Sequence, residues 1–129
     1  MKSHKNLVVW QKSMKLVTRL YEVTRTFPKE ELFGITSQMR RAAVSIPSNI
    51  AEGYGRVYRK ETLRFLSNAL GSASELETQL EICFRLGLAS DADLYELINL
   101  TNEILRMLAA LIKTVNPSIS LNIDKEQTV

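Results

Sequence analysis

Apolar positions recur at helical intervals in four separate stretches of the chain. In the first, Leu7, Trp10, Met14, Val17 and Tyr21 follow at steps of three and four, the seam spacing of packed helices. Val9, Leu16, Leu20 and Val23 widen that stripe, as a bundle core requires. Phe27-Pro28 ends it, because the residue before a proline is pushed out of the α region. The second stretch carries Leu32, Ile35, Met39, Ala42, Ala43, Ile46 and Ile50, and the third Leu63, Leu66, Leu70, Ala73, Leu76, Leu80 and Cys83. Gly87 follows, well placed as a C-terminal cap. The fourth opens at Ser90 with Asp93 three residues on, a capping box with Asp in the Glu position. It continues through Leu94, Leu97, Thr101, Ile104, Leu108, Leu111 and Val115 until Asn116-Pro117 stops it.

No stretch alternates at period two for long enough to be a strand. The pattern predicts an all-α fold, an antiparallel up-down-up-down four-helix bundle, with helices over about 5–26, 33–53, 58–86 and 91–115. The bundle occupies about residues 1–116, and the remaining residues, roughly 117–129, form a polar C-terminal tail without strong periodicity.

The stretch RRAAVSIPSNIAEGYGR at 40–56 stands apart. Pro47 has no N–H, so the carbonyl of Ala43 loses its helical partner. Ile46 and Ile50 nevertheless keep the helical spacing across it, which predicts a second helix kinked near Pro47 rather than two helices. Arg41, Ser45, Ser48, Asn49 and Glu52 make a polar stripe able to satisfy backbone groups freed by a kink. Gly53 and Gly55 are expected to take positive φ and turn the chain into the third helix. Catalysis by this stripe is disfavoured, because no base stands ready to activate a hydroxyl and no second carboxylate completes an acid/base pair. Arg40, Arg41, Ser45, Pro47, Ser48, Asn49, Glu52 and Gly53 therefore read as a structural motif or subunit interface.

Charge changes the picture more than composition does. Residues 1–64 hold 13 Lys/Arg against 5 Asp/Glu, net +8; residues 65–129 hold 4 against 9, net −5. Such asymmetry suits an anionic partner, or subunits or hairpins that attract one another. The single cysteine, Cys83, cannot form an internal disulfide and points to a reducing, cytoplasmic setting. No apolar run reaches the length of a spanning helix, and the lysine-bearing N-terminus does not read as a signal peptide. His4 and Cys83 supply neither the number nor the spacing of ligands a metal needs, and no cofactor is implied. GYGR lacks the preceding strand of a phosphate-cradling loop. Gly71-Ser72-Ala73 reads as a close approach of two helices.

The segments LVVWQKSMKLV at 7–17, FPKEELFGITSQMRRAAVSIPSNIAEGYGR at 27–56 and FLSNALGSASELETQLEI at 65–82 resemble the small bacterial four-helix bundle proteins encoded in intervening sequences of 23S rRNA genes. The resemblance spans residues 7 to about 115. It implies a ring-like homopentamer. A related protein, the accessory variability factor of diversity-generating retroelements, is a basic pentameric barrel that binds nucleic acid and partners a reverse transcriptase. The chain departs from the family pattern at Val57-Tyr58, where relatives are more polar and a Ser or Thr caps the third helix.

Two basic clusters are candidates for phosphate contact: Lys12, Lys15 and Arg19 on one face of the first helix, and Arg56, Arg59, Lys60 and Arg64 across the second turn. Either can equally be a solvated face. In a pentamer, five copies would make weak patches multivalent. Tyr54 and Tyr58 can stack on bases or fill a subunit contact. Arg40 and Arg41 either bind an anionic group or pair with an acidic neighbour such as Glu75, Glu77 or Glu81, within or between subunits; the pair is favoured. The reading that follows is a non-enzymatic, oligomeric protein that binds the backbone of RNA or DNA. The alternative is a homo-oligomeric adaptor for a protein partner, with charge used for assembly.

Overall fold

The computed structural model describes residues 3–116; the C-terminal tail lies outside the described residues. Four helices, α1 (Val8–Thr24), α2 (Ser37–Tyr54), α3 (Arg59–Leu86) and α4 (Asp91–Val115), make an all-helical bundle, and no strand occurs among the described residues. Lys12 pairs with Glu103 and Arg19 with Glu96, so positions run in opposite order along α1 and α4. Ser45 meets Ser72 and Gly53 meets Thr62, the same reversal between α2 and α3. The most extensive packing is α2 on α3.

One core runs through the bundle. Leu16 and Leu20 of α1, Met39, Ile46 and Ile50 of α2, Leu76 and Leu80 of α3, and Leu94, Leu97, Ile104 and Leu108 of α4 are fully buried. Each such side chain contributes roughly 1.5–3 kcal/mol by leaving water, so the core dominates and surface ion pairs add little by comparison. In α1 the centre of the buried face differs from the expected seam. Val9, Ser13, Leu16, Leu20 and Val23 point inward, while Met14 is 40% exposed and Trp10, Val17 and Tyr21 flank the core. Ser13 disguised that seam in the sequence. Its hydroxyl donates to the carbonyl of Val9 at 2.6 Å, so it is buried with its hydrogen bond made.

The helix ends follow local chemistry. Gly87 adopts φ 66°, ψ 36°, its N–H reaches the carbonyl of Phe84, and Leu88 N–H reaches that of Cys83, the paired bonds of a Schellman cap. Ser90 Oγ accepts from Asp93 N–H at 3.1 Å and starts α4. α1 begins later than expected because His4–Asn6 form a separate 3-10 turn and Leu7 is extended. α2 likewise begins at Ser37, after a wide turn over Leu32–Thr36 in which Gly34 leaves helical dihedrals. From Ser37 the helix runs unbroken to Tyr54 with Pro47 buried inside it.

The expected positive φ at Gly53 and Gly55 is not found; among the described glycines only Gly87 has it. Gly53 serves close packing instead. A Cβ there would stand 2.9 Å from Phe65 Cβ and 3.3 Å from the Thr62 carbonyl oxygen. The missing side chain lets the end of α2 touch the start of α3. Gly71, by contrast, faces open space, so the close approach expected at Gly71-Ser72-Ala73 rests on Ala73 and Ser72 alone.

Candidate nucleic-acid interface

The polar stripe of α2 turns partly inward. Ser45 Oγ lies 2.8 Å from Ser72 Oγ of α3. Asn49 Nδ2 donates to both Ser45 Oγ, at 2.9 Å, and the Ser45 carbonyl, at 2.8 Å. Ser48 Oγ donates to the carbonyl of Val44. These hydroxyls and the amide are occupied with one another and with backbone. Arg41 is exposed at the edge of a shallow cavity of about 290 Å³ shared with Gln38, Ser45, Ser72 and Glu75. Cys83, the other nucleophile type in the chain, is fully buried with its Sγ 3.3 Å from Met39 Sδ. Burial, then the charge of Glu31, pushes its thiol up to about 11. Among the described residues no group of three or more His, Cys, Asp or Glu side chains is placed to hold a metal ion.

Within one chain, neither arginine of the pair meets the acids expected of it. Arg40 Nε donates to Thr24 Oγ1 at 3.0 Å and its guanidinium lies 4.5 Å above the centre of the Tyr21 ring. Glu75, Glu77 and Glu81 pair with neither arginine; Glu75 accepts from Gln79 and Glu81 from Arg85. The first turn of α2 packs on the last turn of α1, so a planar cation finds an aromatic face and a hydroxyl before it finds α3.

The basic face of α1 is already answered by α4. Lys12 Nζ sits 2.7 Å from Glu103. Arg19 spends three nitrogens on three carboxylates: Glu96 at 2.7 Å, Asp93 at 2.8 Å and Glu22 at 3.2 Å. The hydrogen bond from Lys12 holds the Glu103 carboxyl below its ordinary range, and the bond to Glu96 raises Arg19. Lys15 is exposed beside them. A phosphate arriving here has to compete with carboxylates in place.

The second cluster differs. Arg56 Nη2 bonds Glu52 at 2.9 Å, and its Nη1 lies 3.9 Å from Glu61. Among the described residues no carboxylate pairs with Arg59, Lys60 or Arg64. Arg56 and Arg64 both lie over the ring of Phe65, at 4.7 and 4.6 Å from its centre. Sequence reasoning missed Phe65 as a platform, since Arg56 reaches it only because Gly53 brings the two helix ends together. Tyr58 occupies the N-cap position of α3 without a side-chain cap. The start of that helix is held by the Tyr58 carbonyl, which accepts from Glu61 and Thr62 N–H, and by Thr62 Oγ1 donating to the carbonyl of Gly53 at 3.1 Å.

Residues 5–110 match the family described as 23S rRNA-intervening sequence protein. The chain belongs to that family. It is also similar to the crystal structure of a protein of unknown function from the S23 ribosomal protein family of Bacteroides thetaiotaomicron. That likeness has 28% identity and a TM-score of 0.76, and covers 82% of this chain and 96% of the other. No curated protein matches the chain. Neither description names a catalytic activity. No helix among the described residues is long and apolar enough to cross a membrane.

Proposed function

We propose that this intervening-sequence family member is a non-enzymatic, homo-oligomeric protein of the bacterial cytoplasm that binds nucleic acid through its phosphate backbone. The observation that carries the reading is the contrast between the two basic clusters. Lys12 and Arg19 are paired with carboxylates of α4, whereas Arg59, Lys60 and Arg64, which share two turns at the start of α3 with Glu61, pair with no carboxylate among the described residues. Uncompensated cations this close together attract polyanions and release their counterions on binding. In a homopentamer, the state implied by resemblance, the patch would be presented five times, and avidity would multiply a weak contact.

The test is fluorescence anisotropy of labelled RNA and DNA across a salt series, with particle mass measured in parallel. Binding whose log K falls steeply with log salt is expected. Reversing Arg59, Lys60 and Arg64 to Glu should flatten that slope by about 0.7–0.9 for each phosphate no longer neutralised. Replacing Lys12, Lys15 and Arg19 should change it less. Absence of binding at low salt, with the oligomer intact, would end the reading.

A second reading, an adaptor for a protein partner such as a reverse transcriptase, is favoured by a different surface. Phe33 is 94% exposed, and a cavity of about 530 Å³ between α3 and α4 has Ile82 and Ile98 in its lining and Glu77, Glu81 and Arg85 around them. Apolar surface with a polar rim marks protein contacts more often than nucleic-acid contacts.

A further inference from the structure

Tyr58 is 70% exposed and its neighbour Val57 89%. Among the described residues the Tyr58 ring stacks on no other ring and its hydroxyl bonds no protein group. The side chain supplies no cap to α3, and a Ser or Thr in its place would cap that helix better. Yet its root is fixed. The backbone is extended at φ −94°, ψ 132°, and its carbonyl accepts from two N–H groups at 3.1 Å and from Thr62 Oγ1 at 3.4 Å. A large aromatic ring is therefore held out into water from an anchored point. Arg59 and Lys60 follow it directly, Arg64 stands about a turn beyond, and Tyr54, 39% exposed, precedes it at the end of α2.

We propose that this α2–α3 end binds single-stranded nucleic acid in preference to duplex, with Tyr58 as the platform on which a base stacks and Arg59, Lys60 and Arg64 as the contacts to the flanking phosphates. The inference rests on the nucleic-acid reading above and narrows its ligand. In a duplex every base face is already covered by its neighbours, so a projecting Tyr and Val would meet only the backbone and hold the cations away from it. In a single strand the bases turn outward, and a base laid on tyrosine brings its own phosphates alongside the adjacent cations. Arg64 is pre-positioned by lying over Phe65, so less side-chain freedom is given up when it takes a phosphate.

The experiment uses the full chain and four probes: 20-nucleotide oligo-dT, oligo-U, and 20-base-pair DNA and RNA duplexes, each titrated by anisotropy at several salt concentrations. The single strands should bind more tightly than either duplex. Tyr58→Ala should weaken single-strand binding roughly 5- to 150-fold, the range expected on removing one base–aromatic stack. It should not weaken duplex binding, and should leave the salt slope, the melting temperature and the particle mass unchanged, and Tyr58→Phe should retain binding. A stronger oligo-U signal would assign the site to RNA, a stronger oligo-dT signal to DNA; either supports the proposal. Duplex binding as tight as single-strand binding would overturn it while leaving the nucleic-acid reading intact. So would a Tyr58→Ala protein with unchanged affinity, or one whose mass falls, which would make Tyr58 a subunit contact. Failure of all four probes would end both readings.

Discussion

Three glycines with three surroundings separate effects that composition cannot. At Gly53 an added methyl would meet Phe65 Cβ at 2.9 Å, closer than real carbons approach, so Gly53→Ala must push α2 and α3 apart. A destabilisation of about 1–3 kcal/mol is expected, the usual scale of overpacking. At Gly87 space is open but φ is +66°, and Gly87→Ala should cost roughly 1–2 kcal/mol from backbone strain alone. At Gly71 neither obstacle exists, so Gly71→Ala should stabilise by about 0.5–1 kcal/mol through helix propensity. Chemical denaturation of the three variants checks the order. Cys83 offers a further residue-scale test. Its folded pKa near 11 lies above the ordinary value of 9.0, so burial of the neutral thiol favours folding fully below about pH 9 and loses that advantage as pH climbs through 11. A thiol reagent at pH 8 should leave the native protein untouched and modify it at once in denaturant. Rapid modification of the native state would show that the helix packing around Cys83 opens easily.

Among the elements, α1 and α2 show where the pattern was legible and where physics intervened. Four helices could be read from apolar spacing, and the ends of α3 and α4 from Gly87 and Ser90, because those signals are local. The inward face of α1 is legible only in part: Val9, Leu16, Leu20 and Val23 lie in the apolar stripe, but Ser13 among them does not show. Ser13 looks polar in a sequence, and only its bond to Val9 explains its burial. The partners of Arg40 and Arg19 were equally hidden, since they depend on which helix lies alongside. The stacking of Arg56 on Phe65 needed the close approach at Gly53 as well. For α2 the remaining question is its path at Pro47, whose ring takes the place of a backbone donor. Pro47→Ala is expected to straighten the helix and shift the assembly state, read as a change in particle mass; an identical mass and an identical helix path would dismiss the kink. Between α1 and α4 the question is pH. Lys12 lowers the pKa of Glu103 below its ordinary 4.5. That contribution is present above the unfolded value and disappears as pH falls through the folded one. Melting temperatures from pH 7 to pH 3 should therefore fall further for the wild type than for Glu103→Gln.

At the scale of the whole molecule, the charge asymmetry and the exposed apolar residues are competing causes for the proposed assembly. The +8 and −5 halves suggest subunits held by opposite charge, but within one chain Lys12, Arg19, Asp93, Glu96 and Glu103 already satisfy one another. Beside the unpaired Arg59, Lys60 and Arg64, large apolar side chains are left on the surface, among them Phe33 at 94%, Leu86 at 62%, Val8 at 51%, Val44 at 41% and Ile82 at 42% exposed. Salt separates the two causes. Between 0.05 and 1 M, about 14 and 3 Å of screening length, exposed ion pairs lose most of their attraction, whereas apolar contacts are not weakened. Light scattering of the protein alone across that range should show a constant particle mass, while labelled nucleic acid titrated in parallel is released. A mass that fell together with the affinity would instead assign the subunit contacts to charge. The free cations of α3 would then be part of an interface rather than a surface open to phosphate.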